Sequence, residues 1–221
     1  VLERKAAEGV DVRVMYDGTC EVALVPRGYA RALEKRGLKA KAFAPLMPFL
    51  STHYNYRDHR KILVIDGKVG FTGGVNLADE YANLIERFGH WKDTAVRLEG
   101  EAVWSLSVMF LTMWDAIKGE KADYDKYRPQ VYMENLPSCD GVIQPYCDNP
   151  LDGENVGETV YLNLINKAEK YIYITTPYLV IDDGMINALT TAAKNGIDVR
   201  IITPHIGDKW YVHAVTRAHY N

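Results

Sequence analysis

Helical segments that end at a glycine and continue directly into a strand recur along this chain, and they constrain its fold most strongly. Gly9, Gly37 and Gly196 each follow such a helical segment, and an apolar strand begins at the next residue. Glycine is favoured just past a helix end because it adopts the left-handed backbone conformation without a steric penalty. Helices that alternate with strands usually cross from one parallel strand to the next. The chain is therefore predicted to belong to the α/β class.

The middle of the chain is predicted to hold a hairpin followed by a core helix. RKILVID and KVGFTGG have the composition of two strands, and they meet at Asp66-Gly67, a pair favoured in two-residue hairpin turns. A third strand is expected at 93–100 and an apolar helix at about 101–117. The longest apolar run, VWSLSVMFLTMW, lies in this helix and, at 12 residues, is too short to span a bilayer.

A short internal match suggests that the chain holds one near-complete α/β repeat and the start of a second. GVDVRVM at residues 9–15 aligns with GIDVRII at residues 196–202, which lie 187 residues later. Any helix, glycine and strand unit looks similar, so the match also has a purely local explanation. On the repeat hypothesis, residues 1–118 form a first repeat without its N-terminal strand. Residues 119–157 then connect it to a truncated second repeat at 158–221, and the chain is a piece of a longer protein.

The residue pair His59 and Lys61 has the chemistry of a phosphate site. The two residues are two positions apart, so on a strand their side chains would share one face. An imidazole is a nucleophile or proton shuttle near neutral pH, and an ammonium group is a point charge that binds phosphate. Side by side, the two groups can hold and attack a phosphoryl group.

Four residues downstream extend this pair into a longer pattern. Asp66 is seven residues after His59 and would point to the opposite face of a regular strand, which makes a direct catalytic role doubtful and favours a turn carboxylate. Gly73 and Gly74 would either let the backbone approach an anion closely or form a bulge or turn. Asn76 offers an amide donor to a phosphoryl oxygen.

The pattern H-x-K-x4-D-x6-G-G-x-N in residues 59–76 resembles the signature of the phospholipase D superfamily. Wider stretches, among them RFGHWKDTAVRLEG and TPYLVIDDGMINALTTAAKNGIDVRIITP, resemble bacterial cardiolipin synthases over nearly the whole chain. The resemblance implies a phospholipase D-like mixed sheet flanked by helices. It also implies an active site at which two copies of the motif meet, so a second motif is expected roughly 25 residues beyond Asn221, in a missing C-terminal part.

The same resemblance implies transfer of a phosphatidyl group, in which two phosphatidylglycerol molecules give cardiolipin and glycerol. One histidine would attack phosphorus to form a phosphohistidine, and the other would protonate the leaving alcohol and then activate the incoming hydroxyl. Lysine and asparagine would stabilise the phosphoryl charge, so neither a metal nor another cofactor is expected. The expected catalytic residues are His59, Lys61, Asp66 and Asn76. The expected substrate-binding residues are Gly73, Gly74, Arg57 and Tyr178.

Composition limits the partners and the compartment. The net charge is −3 and the isoelectric point about 6.1, so no overall basic bias suggests a nucleic-acid partner. Three cysteines without a CxxC or Cys/His cluster favour buried thiols in a reducing compartment. The expected partner is an anionic phospholipid at the cytoplasmic face of the bacterial cell membrane, reached through the parent protein, whereas the chain itself is expected to be soluble.

Two other functions compete with the phosphatidyltransferase. One is a phosphodiesterase of the same superfamily, either a phospholipase or a nuclease; some such nucleases carry one motif and dimerise, but this chain continues into a second repeat. The other is a folded module without catalysis. We predict that the isolated chain is inactive, because it contains a single H-x-K-x4-D motif.

Overall fold

The structure is a computed structural model that describes residues 1–45, 57–117, 123–130, 140–148 and 153–220. Its helices and strands form an α/β protein with small parallel and antiparallel sheets, as the sequence predicts. The helices are α1 (Leu2–Ala7), α2 (Cys20–Ala23), α3 (Tyr29–Glu34), α4 (Ala102–Ala116), α5 (Val156–Asn166), α6 (Asp183–Lys194) and α7 (Trp210–Ala218), with a 3₁₀ helix at Tyr124–Tyr127. The strands are β1 (Arg13–Asp17), β2 (Lys39–Phe43), β3 (Ile62–Ile65), β4 (Val69–Gly73), β5 (Ala95–Glu99), β6 (Tyr171–Thr175) and β7 (Asp198–Ile202).

The chain forms two compact units. Unit 1 comprises Val1–Asn76 and Asp93–Pro145, and unit 2 comprises Leu77–Lys92 and Tyr146–Asn221. The repeat limits expected from the sequence, at 118 and 157, stay a prediction. Much of the connecting segment between them, at 119–122, 131–139 and 149–152, lies outside the described residues.

Unit 1 contains a parallel pair of strands. β1 pairs with β2 from Arg13↔Lys39 to Asp17↔Phe43, and α3 forms the crossover between them. The face of this pair that carries Val14 packs on α3, where Leu33 is buried. This confirms the helix, strand, helix, strand order and the parallel pairing that it predicts.

The second sheet of unit 1 is an antiparallel meander of β3, β4 and β5. The turn between β3 and β4 lies at Asp66-Gly67, where both residues have positive φ (53° and 67°) and the amide of Lys68 donates to the carbonyl of Ile65 at 3.0 Å. Positive φ at both central positions defines the turn type whose twist matches a hairpin. The predicted hairpin is therefore confirmed.

Helix α4 covers this meander and carries the core of the sheet. Val103, Leu106 and the β5 residue Leu98 form one buried cluster, and Val103 is fully buried. Val103 and Leu106 are three residues apart, a spacing that places them on one face of α4. The helix is thus a core element, as its apolar run predicts, and no described helix is long and apolar enough to cross a membrane.

Unit 2 repeats the parallel pairing with β6 and β7, in register from Tyr171↔Asp198 to Thr175↔Ile202. Helices α5 and α6 pack on one face of this pair around a buried cluster of Ile165, Leu189 and Ala192. Asp182 directly precedes α6, and its side chain accepts a hydrogen bond from the amide of Met185 at 2.8 Å. A carboxylate at this position satisfies an amide that has no partner within the helix.

The three helix–glycine–strand connections share one capping geometry. Gly9, Gly37 and Gly196 have φ of 90°, 87° and 90°. In each case the amide of the following residue bonds a carbonyl five residues earlier: Val10 to Lys5, Leu38 to Leu33, and Ile197 to Ala192. Because Gly37 lies outside the internal match, this cap alone does not identify a repeat.

The cysteines are only partly covered by the structure. Cys20 and Cys147 are free thiols and half-buried. Cys139, the third, lies outside the described residues.

Candidate active site

His59 and Lys61 are neighbours in the structure. The Nζ atom of Lys61 lies 3.0 Å from Nε2 of His59 and donates to the backbone carbonyl of His59 at 2.7 Å. His59 is exposed and Lys61 is half-buried. An ammonium group can only donate, so the contact fits a neutral imidazole that accepts at Nε2 and carries its proton on Nδ1. In that tautomer Nε2 has the lone pair that nucleophilic or base chemistry requires, and Lys61 occupies it.

The two side chains meet without the regular strand that the sequence predicts. Strand β3 begins at Ile62, so the segment 57–61 precedes it. Local bonds hold that segment instead: the Asp58 carboxylate accepts from the amide of Arg60 at 3.2 Å, and Lys61 bonds the His59 carbonyl. Side chain to backbone bonds of this kind compete with ladder hydrogen bonds. The start of the strand is corrected accordingly, while the proximity of the pair matches the expectation.

Arg57 ties this segment to the carboxyl ends of β1 and β2. Its Nη1 atom donates to the carbonyl of Ala44 at 2.7 Å and lies 3.4 Å from Oδ1 of Asp17. The side chain is 24% exposed. Arg57 therefore has a structural role, and its predicted contact with substrate stays a prediction.

Asp17 is a residue that sequence reasoning missed. Its Oδ1 atom also accepts from the amide and hydroxyl of Thr19, at 2.8 and 2.5 Å, while its Oδ2 atom is buried and forms no hydrogen bond within the described part of the chain. The available signal was its place at the end of a predicted parallel strand, where ligand sites of α/β sheets are usually built.

The charge of Lys61 also acts on a thiol next to the carboxyl end of β1. Burial raises the pKa of the Cys20 thiol and the Asp17 charge raises it further, whereas the Lys61 charge acts in the opposite direction. Cys20 begins α2 directly after β1. Lys61 and the carboxyl end of β1 therefore share one electrostatic environment.

Arg60 pairs with Asp58. The Nε and Nη2 atoms of Arg60 lie 2.8 and 2.9 Å from the two carboxylate oxygens of Asp58. Burial would raise the pKa of Asp58, but the hydrogen bonds and charge of Arg60 outweigh it and hold the pKa below its ordinary value. The two charges flank His59 and neutralise each other.

Asp66 lies at the opposite end of β3 from the His59–Lys61 pair. At the usual rise along a strand, its Cα is roughly 16 Å from that of Lys61. Its side chain is exposed in the turn. The geometry fits the turn carboxylate that the sequence favours, and a catalytic role for Asp66 stays a prediction.

Gly73 and Gly74 lie where the end of β4 passes close to the entry of β5. A Cβ atom at Gly73 would collide with the carbonyl oxygen of Thr94, and one at Gly74 would collide with the carboxylate of Asp93. The amide of Gly74 also donates to the Thr94 carbonyl at 3.1 Å. The close approach of Thr94 and Asp93 thus explains why both positions are glycine. A contact of either glycine with an anion stays a prediction.

Asn76 and Tyr178 complete the expected set. Asn76 lies three residues after the end of β4 and is half-buried. Tyr178 belongs to unit 2, where its hydroxyl donates to Oδ2 of Asp208 at 2.5 Å and Nζ of Lys209 lies 5.2 Å from its ring centre. Burial and the bond to Asp208 raise the pKa of Tyr178 well above its ordinary value. Their roles toward a substrate stay predictions.

Across the described ranges, no group of three or more His, Cys, Asp and Glu side chains could hold a metal ion. The segment 57–61 brings together the imidazole of His59 and the ammonium of Lys61, and Arg57 of the same segment pairs with Asp17. An exposed imidazole whose Nε2 lies next to a cation is suited to attack on an anionic phosphorus centre.

Comparison with known proteins gives a consistent result. A family model described as "Cardiolipin synthase, PLD-like domain" matches residues 1–97 and 161–221. An uncharacterized protein of Streptococcus mutans is 53% identical over 220 residues, which are 100% of this chain and 47% of that protein. Cardiolipin synthases of Alkalihalophilus pseudofirmus and Halalkalibacterium halodurans are 39% and 38% identical, over 100% of this chain and 43% of each enzyme. The chain thus spans less than half the length of these relatives.

Proposed function

The chain belongs to the family of cardiolipin synthase phospholipase D-like domains, and on that premise we propose that it forms one catalytic half of a phosphatidyltransferase that makes cardiolipin. The observation that carries the proposal is the His59–Lys61 pair, whose ammonium lies 3.0 Å from the imidazole Nε2. The pair lies within a complete H-x-K-x4-D-x6-G-G-x-N pattern. The alignments with two proteins named cardiolipin synthase extend over the whole chain, so they include the pair and all the other residues of that pattern.

In the proposed first step, Nε2 of one motif histidine attacks the phosphorus of phosphatidylglycerol. A P–N bond forms, the P–O bond to glycerol breaks, and the glycerol oxygen takes a proton from the histidine of the second motif. In the second step the hydroxyl of another phosphatidylglycerol attacks phosphorus, the P–N bond breaks, and the hydroxyl proton returns to the second histidine. Splitting the displacement into two steps through a covalent intermediate lowers each barrier. His59 can take either role, since both need an unprotonated nitrogen at some stage.

Lys61 is proposed to move from His59 to the substrate. Its ammonium bonds His59 in the substrate-free chain and lies 3.0 Å from Nε2. A phosphoryl oxygen bound at this point would accept from Lys61 and place phosphorus within reach of Nε2. The negative charge on the phosphoryl oxygens in the transition state would then be stabilised by a cation that needs to move only from Nε2 to the neighbouring oxygen. The amide of Asn76 is proposed to donate to a second phosphoryl oxygen.

The proposed substrate and location follow from the family. Phosphatidylglycerol lies in the bilayer, so the parent protein is proposed to act at the cytoplasmic face of the bacterial cell membrane. The second H-x-K-x4-D motif is proposed to lie in the part of the protein that follows residue 221. The isolated chain would then lack half of the groups that the reaction needs.

The test uses the full-length protein and vesicles that contain phosphatidylglycerol. His59→Ala is expected to reduce cardiolipin formation by at least about a thousandfold, because a residue that forms a covalent intermediate or transfers the proton cannot be replaced by its neighbours. The matched control is His90→Ala, an exposed histidine outside the motif, which is expected to keep activity within twofold.

Product analysis distinguishes the proposed phosphatidyl transfer from hydrolysis. Equimolar cardiolipin and glycerol support transfer, whereas phosphatidic acid and glycerol without cardiolipin would indicate a phospholipase. Cleavage of DNA that weakens as salt rises would indicate a nuclease. Near-normal cardiolipin formation by the His59→Ala enzyme would contradict the assignment of His59.

A further inference from the structure

The two units carry the same ion pair at matching positions. Asp11 and Arg13 in unit 1 correspond to Asp198 and Arg200 in unit 2, each 187 residues later in the chain. Nη2 of Arg13 lies 3.0 Å from Oδ2 of Asp11, and Nη2 of Arg200 lies 2.8 Å from Oδ2 of Asp198. This shared side-chain geometry supports the internal repeat more strongly than the glycine cap does.

The paired residues lie on equivalent faces of the two sheets. In unit 1, Val12 and Val14 pack on the α3 side of the sheet, so Arg13 lies on the opposite face. In unit 2, Val199 packs on α5 and α6, so Arg200 also lies on the face away from its helices. The two faces can therefore be compared residue by residue.

In unit 1, helix α4 and the 3₁₀ helix cover this face. The Arg13 side chain is only 16% exposed; its Nη2 atom contacts the hydroxyl of Tyr127 at 2.5 Å, and its guanidinium carbon lies 4.9 Å from the Tyr127 ring centre and 5.4 Å from that of Trp114. Lys41, on the neighbouring strand, is 5% exposed and donates to the carbonyl oxygen of Trp114 at 2.7 Å. The end of α4 thus provides an aromatic ring that contacts Arg13 and a backbone carbonyl that accepts from Lys41.

In unit 2, the equivalent face is exposed. The Arg200 side chain is 67% exposed, and Tyr171, Tyr173 and Ile202 beside it are 60%, 55% and 63% exposed. The rings of Tyr171 and Tyr173 lie 4.7 Å apart, and the Arg200 guanidinium carbon lies 5.1 Å from the Tyr173 ring centre. Exposed aromatic and apolar side chains grouped on one sheet face are typical of an interaction surface.

We infer that this face of β6 and β7 binds a helical segment with the chemistry of α4 and the 3₁₀ helix: an apolar helix that ends near a tryptophan, followed by a tyrosine that reaches the arginine. The same ion pair on the same face in unit 1 has this kind of cover. The Asp198–Arg200 pair is neutral overall, so it provides no net charge that would draw the face to an anionic membrane or to nucleic acid. The arginine and the two tyrosine rings instead offer the stacking and hydrogen-bonding groups that Trp114 and Tyr127 satisfy in unit 1.

The test adds the segment in trans. A fluorescein-labelled peptide with the sequence of residues 101–130 is titrated with the 221-residue chain, and binding is measured by fluorescence anisotropy. We expect saturable binding that Arg200→Ala weakens about tenfold, because the tryptophan ring and the tyrosine hydroxyl of the peptide lose the guanidinium that they would contact. Arg200 is exposed, so the variant is expected to fold. Arg217→Ala, another exposed arginine of unit 2, is the control and is expected to bind the peptide like the unchanged chain.

A second pair of measurements tests the partner side. A peptide with Trp114→Ala and Tyr127→Ala is expected to bind at least tenfold more weakly than the unchanged peptide. Absence of peptide binding, or equal binding by the Arg200→Ala chain, would overturn the inference. Concentration-dependent dimers of the chain, or vesicle binding, that disappear with Arg200→Ala would assign the face to a second copy or to lipid and would overturn it as well.

Discussion

The hydrogen bond between Lys61 and His59 determines what the imidazole can do before a substrate arrives. With the ammonium donating to Nε2, that nitrogen is unprotonated and the cation is held beside it on an exposed residue. On the proposed mechanism, substrate phosphate would compete with Nε2 for the same ammonium, so its binding would release the lone pair at the time it is needed. The two residues would then act as one group.

The Asp58–Arg60 pair on either side of His59 leads to a prediction on pH. The pKa of Asp58 is below the ordinary 3.8, so its carboxylate stabilises the folded chain above that value, and the contribution is lost as the pH falls through the lowered pKa. Asp58→Asn should lower the free energy of unfolding by about 1 kcal/mol at pH 7. The difference from the unchanged chain should shrink toward zero below pH 3.8, as measured by urea denaturation across pH.

The control for this prediction is Arg60→Gln, which removes the pair from the other side. It should cause a similar loss at pH 7, and the double variant should lose less than the sum of the two single losses. A difference between Asp58→Asn and the unchanged chain that stays constant down to acid pH would contradict the role given to this pair.

Gly73 allows a second prediction for a single residue. A Cβ atom there would collide with the backbone of Thr94 and Ala95, so Gly73→Ala must displace the start of β5. We expect a loss of about 1–3 kcal/mol in the free energy of unfolding. Gly141→Ala is the control, because no atom lies within 4 Å of its added Cβ, and it should leave stability unchanged. A fully stable Gly73→Ala chain would show that the close approach is not a constraint.

At the scale of the element, the segment 57–61 depends on strands from elsewhere in unit 1. Arg57 bonds the Ala44 carbonyl after β2 and the Asp17 carboxylate at the end of β1. These contacts place the residues before β3 against the carboxyl end of the parallel pair. The position of His59 and Lys61 is therefore set by the packing of two sheets and not by β3 alone.

Removing this anchor should loosen the segment without unfolding the unit. In the Arg57→Ala chain we expect amide hydrogen exchange at residues 57–61 to become about tenfold faster, while exchange in β1, β2 and α4 stays unchanged. Arg36→Ala, which breaks an exposed ion pair with Glu3 in the same unit, is the control and should not alter exchange at 57–61. Unchanged exchange in the Arg57→Ala chain would show that the anchor does not position the motif.

For the molecule as a whole, a single H-x-K-x4-D motif lies in the chain, and the chain spans less than half the length of its relatives. If two motifs are needed, the 221-residue chain should form no cardiolipin above background from phosphatidylglycerol vesicles, whereas the full-length protein should. The measurement is radiolabelled product formation at equal molar concentrations. Turnover by the isolated monomeric chain within tenfold of the full-length protein would contradict the two-motif proposal.

The sequence by itself determined the features that depend on neighbouring residues. The α/β order, the glycine caps, the Asp66-Gly67 turn, the core face of α4 and the proximity of His59 and Lys61 follow from side-chain spacing and backbone preferences. The H-x-K-x4-D-x6-G-G-x-N pattern also indicated the family, because six residues at matched spacing describe a site that is local in the chain.

Only the tertiary structure decided the features that depend on residues distant in the chain. It placed the Asp17 carboxylate beside Arg57, brought Gly74 close to Asp93, and started the expected strand at Ile62, after Lys61. It also distinguished Arg13 from Arg200, which occupy the same sequence pattern but are 16% and 67% exposed. The physical reason is that burial and pairing depend on which element covers a face, and spacing along a single strand carries no information about that element.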